Sequence, residues 1–228
     1  MKKLYYNSGY FFLVLFTFVL AGFYKTYFGL APKFDKSTTW LVHVHAAFLT
    51  TWVILLIVQP LLIRYKKTKL HKQIGKFTYV LAPLIVLTMI GMMAKQLTEV
   101  AGTLTLPIAL TAVKLALCDC ILFIIFYTMA VIKRKNFQQH GAFMIATGLL
   151  FINASLTRAL NAWANIPFNI AEIIVVIFIL LCVISLLLYF RQKKLSTKPY
   201  DFILTLMMIG YIITTSVVLW GPHVSYIN

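Results

Sequence analysis

Seven apolar runs, each near the ~20 residues a helix needs to cross a hydrocarbon core, succeed one another along this chain. They fall at about Tyr10–Tyr27, Trp40–Ile63, Ile74–Ala94, Leu106–Ile132, Gly141–Trp163, Ile170–Phe190 and Phe202–Trp220. Inside lipid every backbone N–H and C=O needs a partner within the protein, so runs of this length read as transmembrane helices. Composition agrees: 61% of the 228 residues are hydrophobic and 11% are charged. A soluble domain averages about 45–50% apolar and about 25% charged, so a water-soluble fold is excluded. No segment is left over for a second domain, and residues 1–228 are expected to form one all-α integral membrane bundle.

Met1-Lys2-Lys3 ahead of an apolar run imitates a signal peptide. The run is long for one and lacks a small-x-small cleavage site, so a retained first helix is expected. Pro83 should kink the third helix, because proline removes one N–H from the hydrogen-bond ladder. Cys118, Cys120 and Cys182 all lie inside apolar runs, which argues against a disulfide framework.

Basic residues set the expected orientation. With the N-terminus inside, the inner segments hold fifteen of the 21 Lys and Arg residues, from Lys2 and Lys3 through Arg64–Lys76 and Lys133–Lys135 to Arg191–Lys198. The outer segments hold Lys25, Lys33, Lys36 and Lys95, and two cations, Lys114 and Arg158, are intramembrane. Such a bias in short loops predicts the N-terminus inside and the C-terminus outside. It also accounts for the formal charge of +16 without a nucleic-acid partner. Anionic headgroups on the inner leaflet are the expected partners of the basic loops.

Polar residues inside the spans are where function is to be sought, because they cost free energy in lipid. On the second run, His45, Trp52 and Gln59 are spaced by heptads and so share one helical stripe. His43 and His45 are two positions apart, about 200° around a helix, and can face one metal only if the entry segment is extended. His140 and Arg158 on the fifth run are eighteen positions apart, a whole number of turns, and point the same way. Lys114 and Asp119 on the fourth run are out of phase and are not a simple ion pair. Asn153 is expected near the depth of Asp119, while His71 and His140 sit at the inner mouths of their helices.

A resemblance rests on these residues. His43-Val44-His45 with Trp52 and Gln59, then Leu70-His71-Lys72 with Gly75, then His140 with Met144 and Arg158, resemble an uncharacterised family of small bacterial multi-pass membrane proteins. That family has an H-x-H helix, an L-H-[RK]-x-x-G turn and a later H-x-x-x-M helix carrying arginine. The match covers about half the chain, with Lys72 where arginine is usual and Ala142 where a basic residue is usual. It implies a multi-helix bundle with grouped histidines in a bacterial inner membrane, and no reaction.

Three functions fit this pattern. The first is a histidine-lined interior site for heme b or a transition metal in a redox or assembly role. His43, His45, His71 and His140 are then the candidate ligands, His43 and His45 the candidate metal pair, and Arg158 a propionate partner. The second is a proton-coupled transporter or permease using Asp119, Lys114, Asn153 and Arg158. The third is a structural partner of a membrane complex, in which polar stripes such as that of Gln59 specify packing. No motif assigns an enzymatic reaction.

Overall fold

The computed structural model describes residues 2–34, 38–101 and 106–220, with side chains over 5–34, 38–98 and 113–214. Seven long helices follow in order: α1 Lys2–Tyr24, α2 Trp40–Arg64, α3 Thr68–Ala101, α4 Leu106–Ile132, α5 Phe137–Ala164, α6 Phe168–Gln192 and α7 Lys198–Trp220. A single 3-10 turn, Phe28–Leu30, lies between α1 and α2, and no strand occurs among the described residues. Helices α1 to α6 are long and apolar enough to cross a membrane. α7 is a helix of 23 residues packed on α4, α5 and α6. The tail 221–228, with the expected external C-terminus, and Lys36 lie outside the described residues.

Several helices outrun the apolar segments that announce them, α1 and α3 furthest. α1 begins at Lys2 rather than Tyr10, and α3 covers Thr68–Ala101 rather than Ile74–Ala94. Hydropathy marks only what hydrocarbon demands, whereas helical hydrogen bonding continues into polar turns at the boundary. His71 and His140 therefore sit in the first turns of α3 and α5, not in loops. α3 continues past Pro83 and α2 past Pro60. Each proline deprives the carbonyl four residues earlier, Tyr79 and Leu56, of its usual donor.

Helix ends are closed by local chemistry. The Asn136 side chain accepts the Gln139 N–H at 3.0 Å and caps α5. After α2, Lys67 N–H reaches Leu62 O and Lys66 N–H reaches Ile63 O, with Lys66 left-handed at φ 61°. After α6, Leu195 and Lys194 repeat the pattern on Phe190 and Arg191, with Lys194 at φ 52°. These are Schellman closures made without glycine.

α5 is the axle of the bundle. It packs against α1, α2, α4, α6 and α7. Buried residues make up 61% of its span, against 22–33% in the other five spans. Small residues let α1 approach it. A Cβ on Gly22 would lie 2.8 Å from the Ser155 carbonyl carbon, and one on Gly141 would meet the Tyr5 ring at 2.5 Å. Close backbone approach of this kind replaces the hydrophobic drive that helices lack inside lipid. The outer surface is apolar in turn: Ile170, Ile174, Ile177, Leu181 and Leu188 form an exposed stripe down α6.

Candidate functional site

The short segments joining α2 to α3, α4 to α5 and α6 to α7, together with the helix turns that flank them, carry most of the basic residues, and the helix ends they join are called the basic end. The more heavily charged of two polar groups lies away from it. Asp119 sits ~20 Å from either end of α4 and is buried. Its carboxyl faces the Asn153 amide on α5 and the Tyr211 hydroxyl on α7. It also lies within the fields of Arg158 on α5 and Glu172 on α6. Glu172, one turn into α6 and also buried, in turn faces Lys114. The Lys114 ammonium donates to the Thr214 carbonyl of α7 at 2.8 Å.

Arg158 is held from three sides. Its guanidinium donates to Ala154 O at 3.0 Å and lies 5.0 Å from the centre of the Phe23 ring. Its charge reaches His45 across the bundle. His45 is tied to α3 through Nδ1 and the Thr88 hydroxyl, 3.0 Å apart.

Several atoms of this group lack the partners their burial calls for. Among the described residues, Asp119 Oδ1, both amide atoms of Asn153, Thr157 Oγ1 and Glu172 Oε1 are enclosed without completing a hydrogen bond of ordinary length and angle. Each buried polar atom left so costs about 1–3 kcal/mol. Such a concentration of incompletely paired polar atoms is unusual in a packed interior.

The second group lies at the basic end. The Gln59 amide, oriented by its hydrogen-bond network, donates to His71 Nδ1 and accepts the Gly75 N–H at 3.0 Å. His140 lies within electrostatic reach of His71, and its Nδ1–H donates to Ala130 O at 2.9 Å. Close by, the Thr78 and Tyr127 hydroxyls meet at 3.0 Å. Between the two groups stands Trp52, fully buried, edge-on to Phe123 at 5.1 Å and Tyr127 at 5.5 Å. Its indole Nε1–H has no acceptor among the described residues. The α2 stripe thus meets the charged group at His45, the aromatic middle at Trp52 and the histidine pair at Gln59.

His43 takes a different direction from His45. α2 is already helical at Trp40, so the two rings diverge. His43 Nδ1 pairs with the Tyr27 hydroxyl at 2.9 Å, and its ring stands edge-on to Phe34 at 4.6 Å. Among the described residues no three His, Cys, Asp or Glu side chains converge to hold a metal ion. The donor set does not fit a metal held by His43 and His45.

A heme held between His71 and His140 meets a different obstacle. His140 is oriented as a ligating ring is, its Nδ1–H on a carbonyl and its Nε2 lone pair open. In the neutral His71 ring, Nδ1 accepts from Gln59 and the proton sits on Nε2, the atom that would ligate. With the Gln59 amide so oriented, the pair presents one acceptor and one donor.

Glu172, Thr88, Thr157 and Tyr211 join the site although they are not among the sequence candidates. Glu172 carried a signal, since it is a lone carboxylate opening an otherwise apolar run. The others are ordinary helical residues whose role depends on which helices become neighbours. No family model, curated protein or solved structure matches the chain.

Proposed function

We propose that the protein is a proton-coupled membrane transporter whose coupling site is the buried group around Asp119, Asn153 and Arg158. The observation that supports this reading is the cluster of incompletely paired polar atoms at Asp119 and Asn153, near the half-buried Arg158 and midway along the bundle. A carboxyl there is uncharged when protonated and balanced by Arg158 when ionised, so it can take up and release a proton without leaving a lone charge in lipid. The histidine pair at the basic end supplies a second exchange point. It is bridged to the first by the α2 stripe.

In this reading the basic loops face the cytoplasm of a bacterium and rest on anionic headgroups. The N-terminus is then inside and the C-terminus outside. Reconstitution into proteoliposomes with an internal pH dye tests the transporter. An imposed membrane potential should drive acidification that Asp119→Asn abolishes while the variant still elutes as folded protein. Wild-type vesicles no leakier to protons than empty ones, with or without candidate polar solutes, would overturn it.

A further inference from the structure

Four helices close a ring around the middle of the bundle. Among the described residues α2 packs on α3, α3 on α4, α4 on α5 and α5 on α2, while the opposite pairs, α2–α4 and α3–α5, have no close backbone approach. Side chains alone span the space between them. At mid-depth these are rings: Trp52 of α2, Phe123 and Tyr127 of α4, and Phe151 of α5. Trp52 stands edge-on to Phe123 at 5.1 Å and to Tyr127 at 5.5 Å, and Phe123 lies 6.3 Å from Tyr127 and 6.4 Å from Phe151. Centroid separations of about 4.5–7 Å are those of paired aromatic rings, so the four form one continuous layer.

The layer parts two polar levels. Towards the basic end, the Gln59 amide joins His71 and the Gly75 N–H. On the other side, His45 Nδ1 meets the Thr88 hydroxyl at 3.0 Å, and Asp119 lies one turn beyond Phe123 on α4. Trp52 is the central residue of α2, ~18 Å from either end. Its indole Nε1–H is enclosed without an acceptor among the described residues. Exclusion of water, rather than a hydrogen bond, is what shields that proton.

One hydrogen bond fastens this layer to α3. Thr78 gives its single hydroxyl proton to Gly75 O at 2.6 Å, so across the 3.0 Å between Thr78 and Tyr127 the phenol is the donor. The bond fixes the Tyr127 ring, and with it the face on which Trp52 rests. Among the described residues α3 is the one wall of the ring, apart from its own neighbours α2 and α4, that makes no contact with α5, so it can shift without disturbing the α1–α5 seam. Pro83, just over one turn past Thr78, leaves the Tyr79 carbonyl without its usual helical donor and softens α3 beside the bond.

We propose that Trp52, Phe123 and Tyr127 form an aromatic gate between the two polar levels, latched by the Tyr127–Thr78 hydroxyl bond. Shut, the gate keeps water and protons from passing between the histidine pair and Asp119. Movement of α3 away from α4 takes the acceptor from Tyr127 and frees its ring to turn, which uncovers Trp52. The inference rests on the transporter reading for its purpose, since a site reached from one surface at a time needs such a barrier, though not for its test.

Hydrogen exchange of the Trp52 indole N–H tests the gate in whole protein, labelled with nitrogen-15 tryptophan and held in nanodiscs, with Trp52→Phe assigning the signal. In D2O this proton should persist far longer than that of the exposed Trp40, although nothing accepts it. Tyr127→Phe keeps the ring, Thr78→Val keeps the shape, and each breaks the latch. Each should speed the exchange about fivefold, the shift one hydrogen bond of ordinary net strength gives an opening equilibrium. Thr78→Ser, which keeps the hydroxyl, should exchange as the wild type does. Wild-type Trp52 exchanging as fast as Trp40 overturns the barrier. Unchanged rates in Tyr127→Phe and Thr78→Val that elute as folded protein overturn the latch. Proton flux in proteoliposomes separates the gate from the transporter. Flux that Asp119→Asn abolishes, beside unchanged exchange in both latch variants, sinks the gate and leaves the transporter. Faster exchange in both latch variants of a protein without flux sinks the transporter and leaves the gate.

Discussion

The hydroxyls of Tyr5 and Tyr200 lie 2.6 Å apart, joining the first helix to the last across 195 positions of sequence. Both rings are buried, and Phe190 packs against each, at 6.2 Å from Tyr5 and 4.6 Å from Tyr200. Neither hydroxyl can turn to water when the other is removed. Tyr5→Phe and Tyr200→Phe should each lower stability in detergent by about 1–3 kcal/mol. The double variant should cost less than the sum. Additive losses in a double-mutant cycle of thermal unfolding would show that the contact contributes nothing of its own.

Two glycines should respond in opposite ways to alanine. At Gly22 the new methyl would press into the Ser155 backbone, which cannot yield without moving α5. At Gly75 the nearest atom, in the Gln59 amide, is 3.8 Å away, ordinary van der Waals contact. Gly22→Ala should therefore reduce the yield of folded protein sharply. Gly75→Ala should be neutral or gain up to about 1 kcal/mol from helix propensity. Equal behaviour of the two in size-exclusion and melting measurements would contradict the close α1–α5 approach.

The tautomers at the basic end are open to direct observation. His140 should carry its proton on Nδ1, where Ala130 O accepts it, and His71 should carry its proton on Nε2, because Gln59 donates to its Nδ1. Nitrogen-15 NMR of histidine-labelled protein distinguishes the two forms. Gln59→Leu should release His71 from its tautomer and leave His140 unchanged. Matching tautomers in the wild-type pair would remove the donor–acceptor arrangement on which the proton-passing reading of this end relies.

The Schellman closures at Lys66 and Lys194 hold side-chain-bearing residues at φ 61° and 52°. A left-handed conformation costs an ordinary L-residue roughly 1–2 kcal/mol, and glycine avoids that cost. Lys66→Gly and Lys194→Gly should each raise the melting temperature, despite the greater freedom glycine has when unfolded. Asn136→Ala, which removes the α5 cap, should lower stability by about 1 kcal/mol. A melting temperature lowered by both glycine variants would show that lysine contacts at these turns outweigh the backbone term.

Much of this bundle is legible in the residues themselves, because lipid imposes simple requirements. Twenty-residue apolar runs announce helices, and heptad spacing puts His45, Trp52 and Gln59 on one side of α2. The same phase argument separates Lys114 from Asp119, and in the structure Lys114 reaches Glu172 and the Thr214 carbonyl while Asp119 faces Arg158. Periodicity says which side of a helix turns inward and is silent on what it meets there. That Asp119 faces Tyr211, nearly a hundred positions later, depends on α7 lying against α4, which no local pattern encodes. Thr88 is recruited by His45 for the same reason. The ends of α1 and α3 were illegible from hydropathy for another cause, since the lipid boundary and the helix boundary are set by different forces.

The seam between α1 and α5 restricts how the molecule can move. Gly22 rests on the Ser155 backbone, and Gly148 is filled by Phe12 and Leu56. Sliding α1 along α5 by even one turn would bring full-sized side chains into spaces that admit only hydrogen atoms. The two helices therefore travel together as one strut, and any change of access to Asp119 falls to the other walls of its site. Tyr211 on α7 rides on one of those walls, so opening the site on that side carries its hydroxyl away from Asp119.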